Sequence, residues 1–255
     1  MEFKNDIAII QQTATQTNVG VIRRQAILNE LNIQKGQTII DIGCGGGHLL
    51  KEISLAVGEQ GKIIGVDSSD FQIQSAEKFC SGLSNVELMC CNADNITIEP
   101  KSCDAVTSTQ TLEYIENIDD VLRETKRLQK HNSKFVNIST LWDFFGFHGP
   151  DPELNKIMHD SMKGQKHPML PIQLSGKLEK LGYKNIKTQE INFFIRNKHD
   201  NSFPKCHEIL MSNAAKNKGV PEDDILKWKN QLKQAEEDGR FAFTAYSILT
   251  SAYNL

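Results

Sequence analysis

The sequence predicts an α/β fold: a doubly wound, mostly parallel sheet with helices on both faces, forming one domain over residues 1–255. Three observations predict it. Short apolar, β-prone runs alternate with helix-period runs through residues 36–140, the pattern of a parallel sheet with crossover helices. The first of these runs ends in Asp41 and then in glycines at alternate positions, Gly43, Gly45 and Gly47. The second ends in another acid, Asp67, 26 residues after Asp41.

Residues 1–35 read as a helical lead-in. Val19, Ile22, Ala26, Ile27 and Leu31 recur at near-helical spacing, a stripe suited to packing on the sheet or closing over a ligand. Gly36 breaks that helix. The cofactor-binding core, residues 36–140, then carries strands at 38–42, 63–66, 86–90, 105–108 and 134–139, with helices at 49–57, 71–80 and 118–129. In such sheets ligands bind beyond the carboxyl ends of the strands, where strand order reverses. The glycine loop, Asp67, Asn92 and the pair Thr109-Gln110 all fall at strand ends, so one crevice is expected to gather them.

After Thr140 the texture changes. Residues 141–170 hold Trp142, Phe144, Phe145, Phe147 and His148 among polar residues, and read as a loop with a short helix around 151–162. A helix at 171–181 ends at Gly182, and 184–195 alternates as a sixth strand. Residues 201–238 are helical and highly charged, entered through Pro204 and interrupted at Gly219-Val220-Pro221. The apolar run 240–249 makes the seventh and last strand. Segments 141–170 and 201–238 are the expected helical cap, additions that cover the substrate.

The glycine spacing discriminates between nucleotides. A dinucleotide fingerprint G-x-G-x-x-G needs its third glycine at position 48, which is His48. No Gly-Lys-Ser/Thr follows, which excludes a Walker loop. Asp41, just before the loop, would repel a pyrophosphate and suits a ligand with a positive amino end. S-adenosylmethionine has an ammonium, a sulfonium and no phosphate. Asp67 is placed to accept from both ribose hydroxyls. Its alternative role is N-cap of the next helix, a job that Ser68, Ser69 or Asp70 can take instead.

Together, the run Asp41-Ile42-Gly43-Cys44-Gly45-Gly46-Gly47 and Gly65-Val66-Asp67 resemble the first two motifs of class I S-adenosylmethionine-dependent methyltransferases. Cys91-Asn92-Ala93-Asp94, Cys103-Asp104-Ala105-Val106 and Thr109-Gln110-Thr111-Leu112-Glu113-Tyr114 resemble the third and fourth strand ends of that family, over roughly residues 20–140. The group it is most similar to methylates small molecules and contains the ubiquinone and menaquinone methylases. The resemblance implies S-adenosylmethionine as cofactor and S-adenosylhomocysteine as product. It implies a Rossmann-like sheet of seven strands whose last strand inserts antiparallel beside the fifth. It also implies that Asp41, Gly43, Cys44, Gly45, Gly47, Asp67, Ser68, Asn92, Ala93, Thr109 and Gln110 line the cofactor. The family commonly has Asp-Ala where this chain has Asn92-Ala93. An Asn oxygen still accepts from the adenine amino group, the Ala93 N–H still donates to a ring nitrogen, and Asp94 is a nearby alternative.

Composition narrows the partners. Lys and Arg number 29 against 32 Asp and Glu, a net charge of −3, with no basic stripe, which argues against nucleic acid; the denser basic spots, Lys126-Arg127 and Lys130, read as a solvated helix face. The first residues lack the charged-then-apolar layout of a signal peptide, and no apolar run approaches the ~20 residues of a membrane span. The six cysteines, Cys44, Cys80, Cys90, Cys91, Cys103 and Cys206, contain no C-x-x-C pair. A cytoplasmic protein with reduced thiols is expected.

Aromatic and methionine side chains in the two additions point to a small, apolar or aromatic acceptor, or simply hold the cap to the sheet. Methyl transfer from a sulfonium is an in-line displacement whose main demand is alignment. A general base is needed only when the nucleophile keeps its proton. Candidates are His148, placed first because aromatics precede it, Asp143, His159 and His167; the histidine spacing matches no metal motif. Glu113 and Glu116 read as a helix cap or as solvent-facing. A macromolecular acceptor and a non-catalytic cofactor-binding protein are the alternatives. Against base or glutamine methylation, Thr109-Gln110-Thr111-Leu112 stands where those enzymes carry Asn/Asp-Pro-Pro-Tyr/Phe.

Overall fold

The computed structural model describes residues 5–199 and 202–255. Its strands are β1 (Thr38–Ile42), β2 (Lys62–Asp67), β3 (Val86–Cys90), β4 (Cys103–Thr109), β5 (Gln129–Thr140), β6 (Gly146–His148), β7 (Lys184–Ile195) and β8 (Ala242–Asn254). The helices are α1 (Asn5–Gln16), α2 (Asn18–Leu31), α3 (His48–Val57), α4 (Asp70–Phe79), α5 (Ile118–Leu128), α6 (Pro152–Ser161), α7 (Leu170–Lys180), α8 (Phe203–Asn217) and α9 (Glu222–Glu237). Short 3-10 turns occupy Leu112–Tyr114 and Trp142–Phe144.

The sheet runs β3-β2-β1-β4-β5-β8, and β7 pairs with the far edge of β8. β1 through β5 are parallel, and β8 is antiparallel to both β5 and β7, as expected for the last strand. Ile39, Ile40, Ile42, Ile63 and Val66 are all but inaccessible to water. That continuous apolar run is what a parallel strand covered on both faces requires. The chain winds from β1 to β3 on one side and resumes at β4 on the other. Strand order therefore reverses between β1 and β4, above which the glycine loop sits.

Four expectations are corrected. The described sheet has eight strands, not seven. The added strand, β6, lies inside the segment read as loop, and pairs Gly146, Phe147 and His148 with Thr244, Phe243 and Ala242. Three residues are too few for a periodic signal; β6 forms because β5 ends at Thr140 and leaves the start of β8 unpaired on that side. β8 itself continues to Asn254 rather than ending at 249. In the lead-in, Ile22 is exposed and Arg23 takes its place in the buried stripe with Val19, Ile27 and Leu31. These are i, i+4 neighbours, so Arg23 belongs geometrically to the apolar face. Lastly, Lys126, Arg127 and Lys130 are not a solvated basic face. Arg127 donates to the Ile96 and Ile98 carbonyls and pairs with Glu124, Lys126 reaches the Leu181 carbonyl, and Lys130, in β5, pairs with Asp104.

Among the described residues, no helix is long and apolar enough to cross a membrane.

Candidate active site

The chain must turn sharply between the end of β1 and the first turn of α3, and the three alternate glycines make that turn. Gly43, Gly45 and Gly47 have φ of +74°, +52° and +83°, a region where a Cβ collides with its own backbone. The Gly43 and Cys44 N–H groups both donate to the Val66 carbonyl, at 2.7 and 3.0 Å, which hangs the loop on the end of β2. One residue later Asp67 continues the tie. Its Oδ2 accepts from Gly45 N at 3.0 Å and its Oδ1 from Ser69 N at 2.9 Å. Ser69, not Asp67, caps α4, its Oγ accepting from Gln72 N. Burial pushes the Asp67 carboxyl up, and the two N–H bonds oppose that.

The neighbouring strand ends close round this loop. Cys91 N donates to the Asp67 carbonyl at 3.2 Å, which brings Asn92 and Ala93 beside it. Thr111 Oγ1 donates to the Gly43 carbonyl at 3.4 Å, which brings Thr109 and Gln110 to the other side. Asp67 and the loop glycines Gly43 and Gly45 are half-buried, Ser68 and Asn92 are exposed, and Cys44 and Gly47 are buried. The sequence-predicted cofactor residues thus meet at one place, the carboxyl ends of β1 to β4. α1 lies over them: Gln12 reaches both Gly46 and Gln72, and Thr15 Oγ1 is 3.4 Å from His48 Nδ1.

Asp41 lies below the loop and is only 2% exposed. Its Oδ1 has no hydrogen-bond partner among the described residues. Burial, and then the Asp67 charge, raise its pKa from 3.8 to about 7. A raised carboxyl keeps its proton in the fold at pH values where the unfolded chain has lost it. Its burial is therefore harmless below about pH 4 and increasingly destabilising up to about pH 7, with an upper bound of roughly 4 kcal/mol. Asp41→Asn is accordingly expected to gain stability relative to the parent as pH rises through this window, and to show no such gain at its acid end. Thermal unfolding of both proteins without cofactor, at pH 4 and pH 7, checks this; a constant difference contradicts it.

A second cluster, at the end of β5 and the middle of β8, was largely illegible in the sequence. Glu113, expected at a helix cap or in solvent, is fully buried. Its oxygens accept from Ser139 Oγ at 3.0 Å and Thr140 N at 3.3 Å. Burial raises its pKa against those bonds and the Arg23 charge. Arg23, 5% exposed, donates from Nη2 to Ser247 Oγ at 2.8 Å and Thr140 Oγ1 at 3.4 Å. Thr140 Oγ1 in turn donates to Gln110 Oε1 at 2.8 Å. The guanidinium lies over the Phe193 and Phe203 rings, 5.6 and 5.2 Å from their centroids. The sequence signal for Arg23 was a charge at the i+4 position of an apolar stripe.

His207 is the other unforeseen residue. Its ring packs 4.1 Å from Phe203, 4.9 Å from Phe145 and 5.7 Å from Phe243. Nδ1 is 2.9 Å from the Phe203 carbonyl, which can only accept, so Nδ1 donates and Nε2 keeps its lone pair. Burial lowers its pKa to about 4. Trp142 packs against Phe145 with ring centroids 4.6 Å apart and planes tilted by 49°, and meets Tyr114 edge-on at 6.0 Å, joining this aromatic wall to the end of β4.

The base candidates read from sequence lie elsewhere in the cap. His148 is exposed on β6 with Nε2 2.8 Å from Thr244 Oγ1, and burial lowers its pKa. His159 Nε2 accepts from Phe147 N at 3.0 Å, joining α6 to β6, and burial lowers its pKa to about 4. Asp143 is exposed, and so is the 3.3 Å contact of His167 Nε2 with the Glu116 carbonyl.

Residues 33–240 match the family described as a methyltransferase domain. A demethylmenaquinone methyltransferase of Oceanobacillus iheyensis is 34% identical over 119 residues, 46% of this chain and 50% of that protein. The chain spans about half the length of the curated relatives it matches. A phosphoethanolamine N-methyltransferase 2 of Haemonchus contortus, solved with S-adenosyl-L-methionine, superposes with a TM-score of 0.61 at 20% identity, over 91% of this chain and 52% of that one. A SAM-dependent methyltransferase from Aquifex aeolicus superposes with a TM-score of 0.57 at 17% identity, over 99% and 100% of the two chains. At these identities the structural likeness speaks for the fold.

Proposed function

We propose that this chain, which belongs to the class I S-adenosylmethionine-dependent methyltransferases, passes the methyl group of that cofactor to a small, apolar or aromatic acceptor. The buried Asp41 carboxyl carries the proposal: an oxygen that no described group reaches lies under a glycine loop at the strand-order reversal. It is a preformed place for a cation, such as the cofactor's ammonium, and would repel a pyrophosphate. Gly43, Cys44, Gly45 and Gly47 supply the close backbone approach, and Asp67, with Ser68 beside it, accepts from the ribose hydroxyls. Asn92 and Ala93 face the adenine edge, and Thr109 and Gln110 lie along the methionine arm.

Transfer is an in-line displacement. An electron pair of the acceptor forms the new bond to the methyl carbon as the carbon–sulfur pair returns to sulfur, leaving S-adenosylhomocysteine. The cofactor supplies the activated methyl; the protein aligns the two partners and keeps water out. The wall of Trp142, Phe145, Phe203 and Phe243 supports an apolar or aromatic acceptor, as does the relative named for demethylmenaquinone. A net charge of −3 with no basic stripe favours a small molecule over nucleic acid. His207 and His159, at about 4, are weak proton acceptors at neutral pH, which favours an acceptor needing no strong base.

Calorimetric titration is expected to give binding of S-adenosylhomocysteine of about micromolar strength, and none of NADH. Labelled methyl donor should then mark a member of a phenol, quinol and amine panel. Binding of NADH in place of S-adenosylhomocysteine overturns the proposal.

A further inference from the structure

Arg23 is a cation in an unusual position. A buried charge is normally matched by an opposite charge at contact distance, because the low-dielectric interior otherwise penalises it heavily. Among the described residues no carboxylate lies within ion-pair distance of the Arg23 guanidinium. Its hydrogen bonds go to two neutral hydroxyls, Thr140 and Ser247, and Nε has no partner at all. The carboxylate whose charge acts on it is Glu113, whose two oxygens are already engaged by Ser139 and the Thr140 backbone. Burial lowers the Arg23 pKa to about 10, with the Glu113 charge pulling the other way, so the group is still a cation at neutral pH.

Two phenyl faces, Phe193 and Phe203, flank the guanidinium. A chain of two hydrogen bonds, from Arg23 to Thr140 and from Thr140 to Gln110, connects it to a half-buried residue at the carboxyl end of β4. Gln110 is next in sequence to Thr111, which touches the glycine loop. The unsatisfied donors therefore stand just behind the crevice in which the acceptor of the proposed reaction must lie, on its aromatic side. Planar aromatic surface around a forked donor with free N–H groups is complementary to an aromatic ring bearing a carboxylate.

We propose that Arg23 is the specificity-determining residue for the acceptor, binding a carboxylate on an aromatic frame through its free guanidinium donors. The proposal rests on the methyltransferase reading, and deepens it by naming the acceptor's charge. In this arrangement Arg23 selects by charge, and the residues around it exclude water and align the ring.

The test compares benzoate with benzamide, a neutral planar analogue of similar size, as ligands of the full chain saturated with S-adenosylhomocysteine. Titration calorimetry is expected to show benzoate bound about tenfold or more tightly than benzamide. Arg23→Met should erase that preference while leaving S-adenosylhomocysteine affinity within about twofold, and Arg23→Lys, which keeps the charge but not the fork, should retain part of it. Equal affinity for the two ligands in the parent protein overturns the proposal, as does failure of benzoate to bind, and neither result depends on a variant folding. If Arg23 only ties α2 to the sheet, Arg23→Met lowers the melting temperature and changes nothing in the benzoate-to-benzamide ratio. A chain that does not bind S-adenosylhomocysteine fails the methyltransferase reading itself; one that binds it and treats the two ligands alike fails this proposal alone.

Discussion

Replacing Asp67 by Ala is expected to weaken S-adenosylhomocysteine binding by about 2–3 kcal/mol, roughly 30- to 150-fold in Kd, with a far smaller change in melting temperature. Two losses combine. The carboxylate at the end of β2 has two oxygens with which to accept from both ribose hydroxyls, and charged hydrogen bonds of this kind are each worth more than neutral ones. It also holds Gly45 N at 3.0 Å and Ser69 N at 2.9 Å, so its removal loosens the glycine loop before any ligand arrives. The fold itself depends on it less, because the side chain is half-buried and the loop keeps its two bonds to the Val66 carbonyl. Asp67→Asn should fall between. Its oxygen replaces one acceptor, but its amide nitrogen faces an N–H donor and cannot bond to it. Calorimetry on the three proteins at one pH measures the series. An affinity unchanged in Asp67→Ala removes this residue from the cofactor site.

What the sequence revealed, and what it withheld, divides by how local the chemistry is. Asp41, the three glycines and Asp67 each stand within a few residues of a strand end, so strand periodicity and glycine spacing were enough to place them together. The same holds for Thr109 and Gln110. Arg23, Glu113 and His207 come from the lead-in, the turn after β4 and the cap, and nothing short of the tertiary fold brings them near one another. Each was also disguised by an ordinary reading: Arg23 by a neighbouring apolar stripe that Ile22 fitted as well, Glu113 by a helix start five residues later, His207 by a highly charged helix. β6 escaped for a different reason. A three-residue strand has no period to detect, and exists because the edge of β8 beyond β5 would otherwise leave backbone groups unpaired.

Gly43→Ala is expected to be the most damaging single methyl in the glycine loop, lowering stability by roughly 2–5 kcal/mol and abolishing measurable cofactor binding. The residue sits at φ +74°, so an alanine there is strained by its own backbone, at about 1–2 kcal/mol. The added Cβ would also lie 2.0 Å from Thr111 Oγ1, 2.3 Å from its Cγ2 and 2.6 Å from its Cβ. Rotation about χ1 moves Oγ1 and Cγ2 but not the Thr111 Cβ, so the 2.6 Å overlap remains in every rotamer. Either Thr111 or the loop must move, and Thr111 is anchored by its contacts with the Gly43 and Thr109 carbonyls. Gly45 makes the control: its φ is +52° but a Cβ there meets nothing within 4 Å, so Gly45→Ala carries the backbone strain without the collision. Chemical denaturation should therefore rank Gly43→Ala well below Gly45→Ala. Adding Thr111→Gly to Gly43→Ala should recover the part of the loss due to the collision and leave the part due to φ. Equal destabilisation of the two alanine variants would mean that the contact between Thr111 and the loop relaxes freely, and that the end of β4 does not brace the glycine turn.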